Sequence, residues 1–261
     1  MLKQTLLAFT VLGVAGSAAA ADITNPFFLP ESLHVNSITS FDYDHGHMKN
    51  GGAGERNYTK TLSEELKFGI LNNLAIIGSL EKDWTRVNVP GLGTAKDHND
   101  LDWEAGLAWN ILDCCKPAKL QLSSVYGQVT PNHNGKGTYK YFDTELKAGY
   151  QFKTFLPYAS LNVHTPVAQT TAGGTDNWSY NGKIGVYQGK CGVWSLDTAL
   201  AWAFNRTAIH ARTLSAEAEA SYYLTKNMTL GVYGSYMLDG KAKFGTDLYD
   251  KSVGARLRLY F

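Results

Sequence analysis

Acids and bases recur two residues apart along this chain: Glu65 with Lys67, Glu81 with Asp83, Asp102 with Glu104, Asp143 with Glu145, Glu217 with Glu219, and Arg256 with Arg258. Successive side chains of an extended strand point to opposite faces, so each pair shares one face. Carboxylates gathered in this way bind a cation, pair with bases, or retain protons through raised pKa values. Six of the seven histidines, His45, His47, His98, His133, His164 and His210, fall in polar stretches between the apolar-patterned segments. The run Asp42-Tyr43-Asp44-His45-Gly46-His47-Met48 offers imidazole and carboxylate donors suited to zinc or copper, but without the fixed spacing of three or four converging ligands. Ser160 and His164 are the serine and base that a nucleophilic hydrolase needs. They share a face but stand roughly 13 Å apart along a strand, too far for direct proton transfer. Cys114, Cys115 and Cys191 show no Cys-x-x-Cys spacing, and no pattern in the chain asks for a cofactor.

The elements that carry these residues read as strands. Leu101, Trp103, Ala105, Leu107 and Trp109 interleave with Asp102, Glu104, Gly106, Ala108 and Asn110. This period of two recurs in segments of about ten residues, twelve times from residue 32 to the end. Connections alternate as well: 45–57, 85–99, 130–138, 165–177 and 239–248 are long, with a shorter one at 206–210. Those at 71–73, 152–154, 189–192 and 225–227 are tight, and the one at 111–118 is longer than these. Ahead of the strands, residues 1–21 have one lysine, an apolar stretch and a small-residue site, which reads as an export signal. Residues 22–31, with Pro26 and Pro30 around Phe27-Phe28-Leu29, read as an extended lead-in at one mouth, or alternatively as a partial plug. No apolar run is long enough for a membrane helix. A net charge of +1 with no basic stripe speaks against nucleic acid as a partner.

The final strand is the most specific signal. Val253, Ala255, Leu257, Leu259 and Phe261 alternate with Gly254, Arg256, Arg258 and Tyr260, and the given sequence stops at Phe261. An alternating last strand ending in phenylalanine resembles the assembly signal of bacterial outer-membrane β-barrel proteins, with Leu257, Leu259 and Phe261 as its residues. The resemblance implies an all-β fold, a closed antiparallel transmembrane β-barrel of about twelve strands over residues 32–261, both termini in the periplasm. It also implies the barrel assembly machinery, outer-membrane lipids and lipopolysaccharide as partners. The expected function is a porin-like channel for small cationic or neutral solutes, not an enzyme. The alternatives are a lipid-modifying enzyme and a non-conducting structural barrel or adhesin.

Closing the sheet sorts the residues. Backbone groups have no water to bond in lipid, so the apolar set faces outwards and the polar set lines the bore. Parity sends Glu65, Glu81, Asp83, Asp102, Glu104, Asp143, Glu145, Glu217 and Glu219, with Asp42 and Asp197, into the lumen. The inward bases are Lys67, Lys147, Lys183, Arg256 and Arg258. Rings of such acids select cations; the competing expectation is that the bases reach across and seal the bore. Trp84, Trp103, Trp109, Trp178, Trp194 and Trp202 fall on the lipid side, several at the headgroup girdles. Lys60, Lys82 and Lys251 are outward too, near the extracellular end, where they would meet lipopolysaccharide phosphates. Glu64 is the anomaly, a carboxylate aimed at hydrocarbon; a β-bulge near Ser63 or a contact in a homo-oligomer would resolve it. The three cysteines belong to periplasmic turns, where Cys114 and Cys115 bond each other, reach Cys191 or stay reduced.

Overall fold

A computed structural model describes residues 22–50, 53–89, 93–112, 116–131, 138–169, 178–205, 211–242 and 246–261. The expected signal at 1–21, together with Cys114, Cys115, His133 and His210, lies outside the described residues; of His98 only the backbone is described. Twelve strands run in chain order: β1 (Val35–Asn50), β2 (Ala53–Leu71), β3 (Leu74–Val89), β4 (Gly93–Asn110), β5 (Ala118–Pro131), β6 (Tyr139–Tyr150), β7 (Phe155–Gln169), β8 (Ser179–Lys190), β9 (Trp194–Asn205), β10 (Arg212–Thr225), β11 (Met228–Ala242) and β12 (Thr246–Tyr260). Each pairs antiparallel with its neighbours in sequence, and β12 returns to β1 to close the barrel. The seam runs from Asn36 opposite Tyr260 to Lys49 opposite Asp247. Its end is secured by the last residue: Phe261 N–H donates to Val35 O at 2.9 Å and Phe261 O accepts from Val35 N–H at 3.0 Å. Leu257 and Leu259 lie on the outer face of that seam strand.

Alternation along each strand partitions the residues. Leu62, Leu80, Val232 and Val253 stand exposed on the outside, Leu80 by 58%, while Ala75, Ala108 and Leu156 on the inner parity are buried. A row of large exposed aliphatic side chains would be unstable in water; in a bilayer it is the contact surface. Trp109 and Trp194 sit at strand ends on the side of the tight turns, and Trp178 and Trp202 lie towards the opposite rim. These positions match the two interfacial girdles.

Glu64 stays on the outer face. Register runs unbroken through Ser63 and Glu64 on both sides of β2, so no bulge turns it inwards. Its oxygens instead accept hydrogen bonds from Ser37 Oγ at 2.6 Å and from Thr39 Oγ1 on β1. Replacing both hydroxyls (Ser37→Ala with Thr39→Ala) leaves a carboxylate unsatisfied, with an expected loss of about 1–3 kcal/mol in barrel unfolding. Adding Glu64→Leu to that variant should restore the loss, as read by urea unfolding in lipid.

Several expected loops are largely strand among the described residues. Residues 45–57, 85–99 and 239–248 read as long connections, but β1–β2, β3–β4 and β11–β12 keep pairing to Asn50–Ala53, Val89–Gly93 and Ala242–Thr246, and 165–169 of the connection expected at 165–177 still pair with β6. Beyond the hydrocarbon both faces of a ribbon meet water, so alternation disappears while backbone pairing continues.

Candidate functional site

The lumen is floored by the chain's own beginning. Residues 22–34 are not extended: Asn25 N–H donates to Asp22 O at 3.0 Å, Phe28 N–H to Asn25 O at 2.9 Å, and His34 N–H to Glu31 O at 3.0 Å. Asn25 helps make the turn, its Oδ1 accepting from Phe27 N–H at 2.9 Å. The folded segment packs against inward-facing residues around the wall. Phe27 meets Leu156, Tyr158 and Tyr187; Leu29 meets Ala75, Ile77 and Ala108; Ile23 meets Tyr223 and Tyr260. Polar bonds tie it further. Asp22 Oδ1 accepts from Tyr187 OH at 2.6 Å and Tyr223 OH at 2.9 Å. Phe27 O accepts from Asn110 Nδ2 and Gln121 Nε2, and Lys147 Nζ donates to Pro26 O at 3.2 Å. Cys191 is exposed in the turn after β8, its thiol pushed above the ordinary value by partial burial and by the Asp22 carboxylate.

Above this floor lies a cavity of about 340 Å³ lined by Ile23, Pro26 and Phe28 below and by Glu65, Lys67, Lys147 and Arg256 among its walls. The bases do not reach across the bore. Lys67 pairs with Glu65 at 3.0 Å and Lys147 with Glu145 at 3.3 Å, each on its own strand. Lys183 pairs with Glu217, and Arg256 and Arg258 grip the two oxygens of Glu219 at 2.7 and 2.5 Å, two strands away along the same wall. These pairs neutralise β10 and β12, together with the lower parts of β2, β6 and β8. Small residues, Ala201, Ala203 and Ser215, leave a further cavity of about 420 Å³ on that side.

The wall of β1, β3 and β4 is different. Glu81 faces Asp102 in register and Asp83 faces Asp100, so the inner face carries acids in consecutive rows. Oxygens of Glu81, Asp83 and Asp102 lie within 4.8 Å of one another. Among the described residues none of the three forms an ion pair with a base. Asp83 accepts from Thr61 Oγ1 at 2.5 Å, while Asp102 Oδ1 is buried with no hydrogen-bond partner. Three carboxylate oxygens this close suit a hard, oxygen-loving cation. Glu104, one row below, accepts from Ser79 Oγ at 3.1 Å and Tyr141 OH at 2.8 Å. Tyr141 reaches it because its ring lies over Gly127, where a Cβ would stand 2.3 Å from the ring.

Asp143 is paired with an imidazole. His164 is inward and below the rim: its Nδ1 lies 2.8 Å from Asp143 Oδ1 and its Nε2 meets the Tyr139 hydroxyl. Ser160 lies two pairs lower, opposite Lys147 and Lys183. The imidazole's second nitrogen thus faces a phenol and not a serine. Sequence parity had no means of finding this chain, because its members come from two strands. The stretch 42–48 makes no metal centre, since Asp42 and Asp44 face inwards whereas His45 and His47 stack outside on Tyr58 (4.7 Å) and Tyr249 (6.1 Å).

Family models and curated proteins give no match to the chain. Solved structures do. An outer membrane channel from Pseudomonas putida F1 superimposes with a TM-score of 0.69 at 13% identity, over 90% of this chain and 98% of that one. The β domain of the Bordetella autotransporter BrkA gives 0.60 at 11% identity, over 87% and 99%. The CymD monoaromatic hydrocarbon channel gives 0.51 at 11% identity, over 96% and 95%. At these identities the likeness establishes architecture: the chain has the closed-barrel fold seen in bacterial outer-membrane channels and autotransporter translocators.

Proposed function

We propose that this barrel is a porin-like channel of the bacterial outer membrane, passing small cationic or neutral solutes by diffusion, and that the β1–β3–β4 wall gives it a preference for cations. One observation carries the reading: among the described residues Glu81, Asp83 and Asp102 converge without a neutralising base, whereas the inward Lys67, Lys147, Lys183, Arg256 and Arg258 are each occupied by an acid on their own side. A permeating cation exchanges part of its hydration shell for such oxygens, and an anion meets only repulsion there. The likeness to two outer-membrane channels supports the channel reading. A hydrolase reading is disfavoured, since His164 has Asp143 on one nitrogen and Tyr139 on the other.

Planar-bilayer recording in a salt gradient tests the proposal. A reversal potential of cationic sign is the expected result. Anion preference would overturn the selectivity, and absence of conductance would overturn the channel itself.

A further inference from the structure

The cavity of about 690 Å³ between β1 and β4 opens outwards, on the lipid side of the wall. Its residues lie in two adjacent rows across the sheet. Tyr43, Lys60, Trp84 and Asn99 are register partners in one, and Tyr58 and Arg86 are partners in the next towards the rim. Thr85 and Asn88 complete the lining. Below lies a row of Phe41, Leu62, Lys82 and Leu101, and Leu80 follows beneath it. The tight turns at Leu71–Leu74 and Thr225–Met228 mark the opposite end as periplasmic. The cavity therefore sits where the outer-leaflet headgroups meet the hydrocarbon.

We infer that this cavity is a binding site for a phosphorylated glycolipid of the outer leaflet. Lys60 is exposed and, among the described residues, has no carboxylate within ion-pair distance; it takes the phosphate, with Arg86 beside it one row higher. Basic side chains at a membrane surface attract anionic headgroups in this way. Asn88 and Asn99 supply amide donors and acceptors for sugar hydroxyls. Tyr43, Tyr58 and Trp84 offer flat amphipathic rings to the sugar, as such rings do at a membrane interface. Acyl chains then run down Phe41, Leu62, Leu80 and Leu101, exposed side chains interrupted by Lys82 and, beside Leu80, by Glu64, whose carboxylate Ser37 and Thr39 hold. A soluble anion would have no use for that apolar runway, which is why a lipid is the occupant and free phosphate is not.

Native mass spectrometry of the whole barrel, released from micelles doped with lipid A, tests this. One lipid A should be retained by the unaltered protein. Retention should weaken roughly fivefold for each cation removed in Lys60→Ala and Arg86→Ala, recover in Lys60→Arg, and stay intact in Lys140→Ala, an outward lysine on β6 away from the cavity. Dephosphorylated lipid A should be lost, and phosphatidylglycerol, which lacks the sugars, should be held more weakly than lipid A. Equal retention of the dephosphorylated lipid, equal retention of phosphatidylglycerol, or an unchanged Lys60→Ala protein would each overturn the site. Should Lys60→Ala fail to fold, Lys60→Gln carries the same comparison.

Discussion

Deleting residues 22–31 should raise single-channel conductance several-fold while the barrel still folds. The segment fills the periplasmic end with Phe27, Leu29 and Ile23, and every apolar side chain it buries is set against the inner wall. None of the strand pairings passes through it, and the β1–β12 seam closes from Asn36 onwards without its help. Its removal costs stability, about 1.5–3 kcal/mol for each large side chain withdrawn, but leaves the closed sheet complete. A milder variant separates fastening from bulk. Tyr187→Phe with Tyr223→Phe takes both phenol donors from Asp22 and should give brief excursions to the larger conductance, with the smaller level still dominant. Identical conductance in the deletion and the intact chain would mean that ions do not pass this floor.

Neutralising the β3–β4 acids should have the second largest effect. In Glu81→Gln, Asp83→Asn, Asp102→Asn, three charges each about 8 Å from a passing ion withdraw roughly 0.5 kcal/mol apiece at the dielectric of water. With salt screening, cation preference should fall roughly three- to tenfold, read as a shift of the reversal potential towards zero. The same three substitutions should leave heat stability equal or higher, because they relieve repulsion. Neutralising Glu145 and Glu217 should shift selectivity the same way, removing two acids and freeing Lys147 and Lys183, and so move it towards anions. If the triple variant keeps its reversal potential, selectivity lies elsewhere in the bore.

Strand number, lipid face and bore were legible because burial in two media imposes a strict alternation on each residue. Glu81 and Asp102 are placed on the inner wall by that rule alone. What the rule omits is which strand a side chain reaches. Lys183 meets Glu217 and Arg256 meets Glu219 two strands on, and Glu64 finds its donors on β1, none of which a single strand's pattern contains. The floor stood only as the alternative reading, a partial plug, for another reason. Two prolines suggested an extended lead-in, but Asn25 supplies a turn and inward tyrosines at distant positions supply the packing, a tertiary matter with no local signature. Above the hydrocarbon the rule lapses altogether, and so β1–β4 were read as ending too soon.

Those long ribbons give the outer mouth a lopsided parapet. β2 has 19 residues and β6 has 12; at ~3.3 Å per residue and a tilt of ~40°, the strand wall on one flank rises roughly 15–20 Å higher than on the other. Among the described strands, a large body approaching from the outer side meets that battlement before it meets the lower flank.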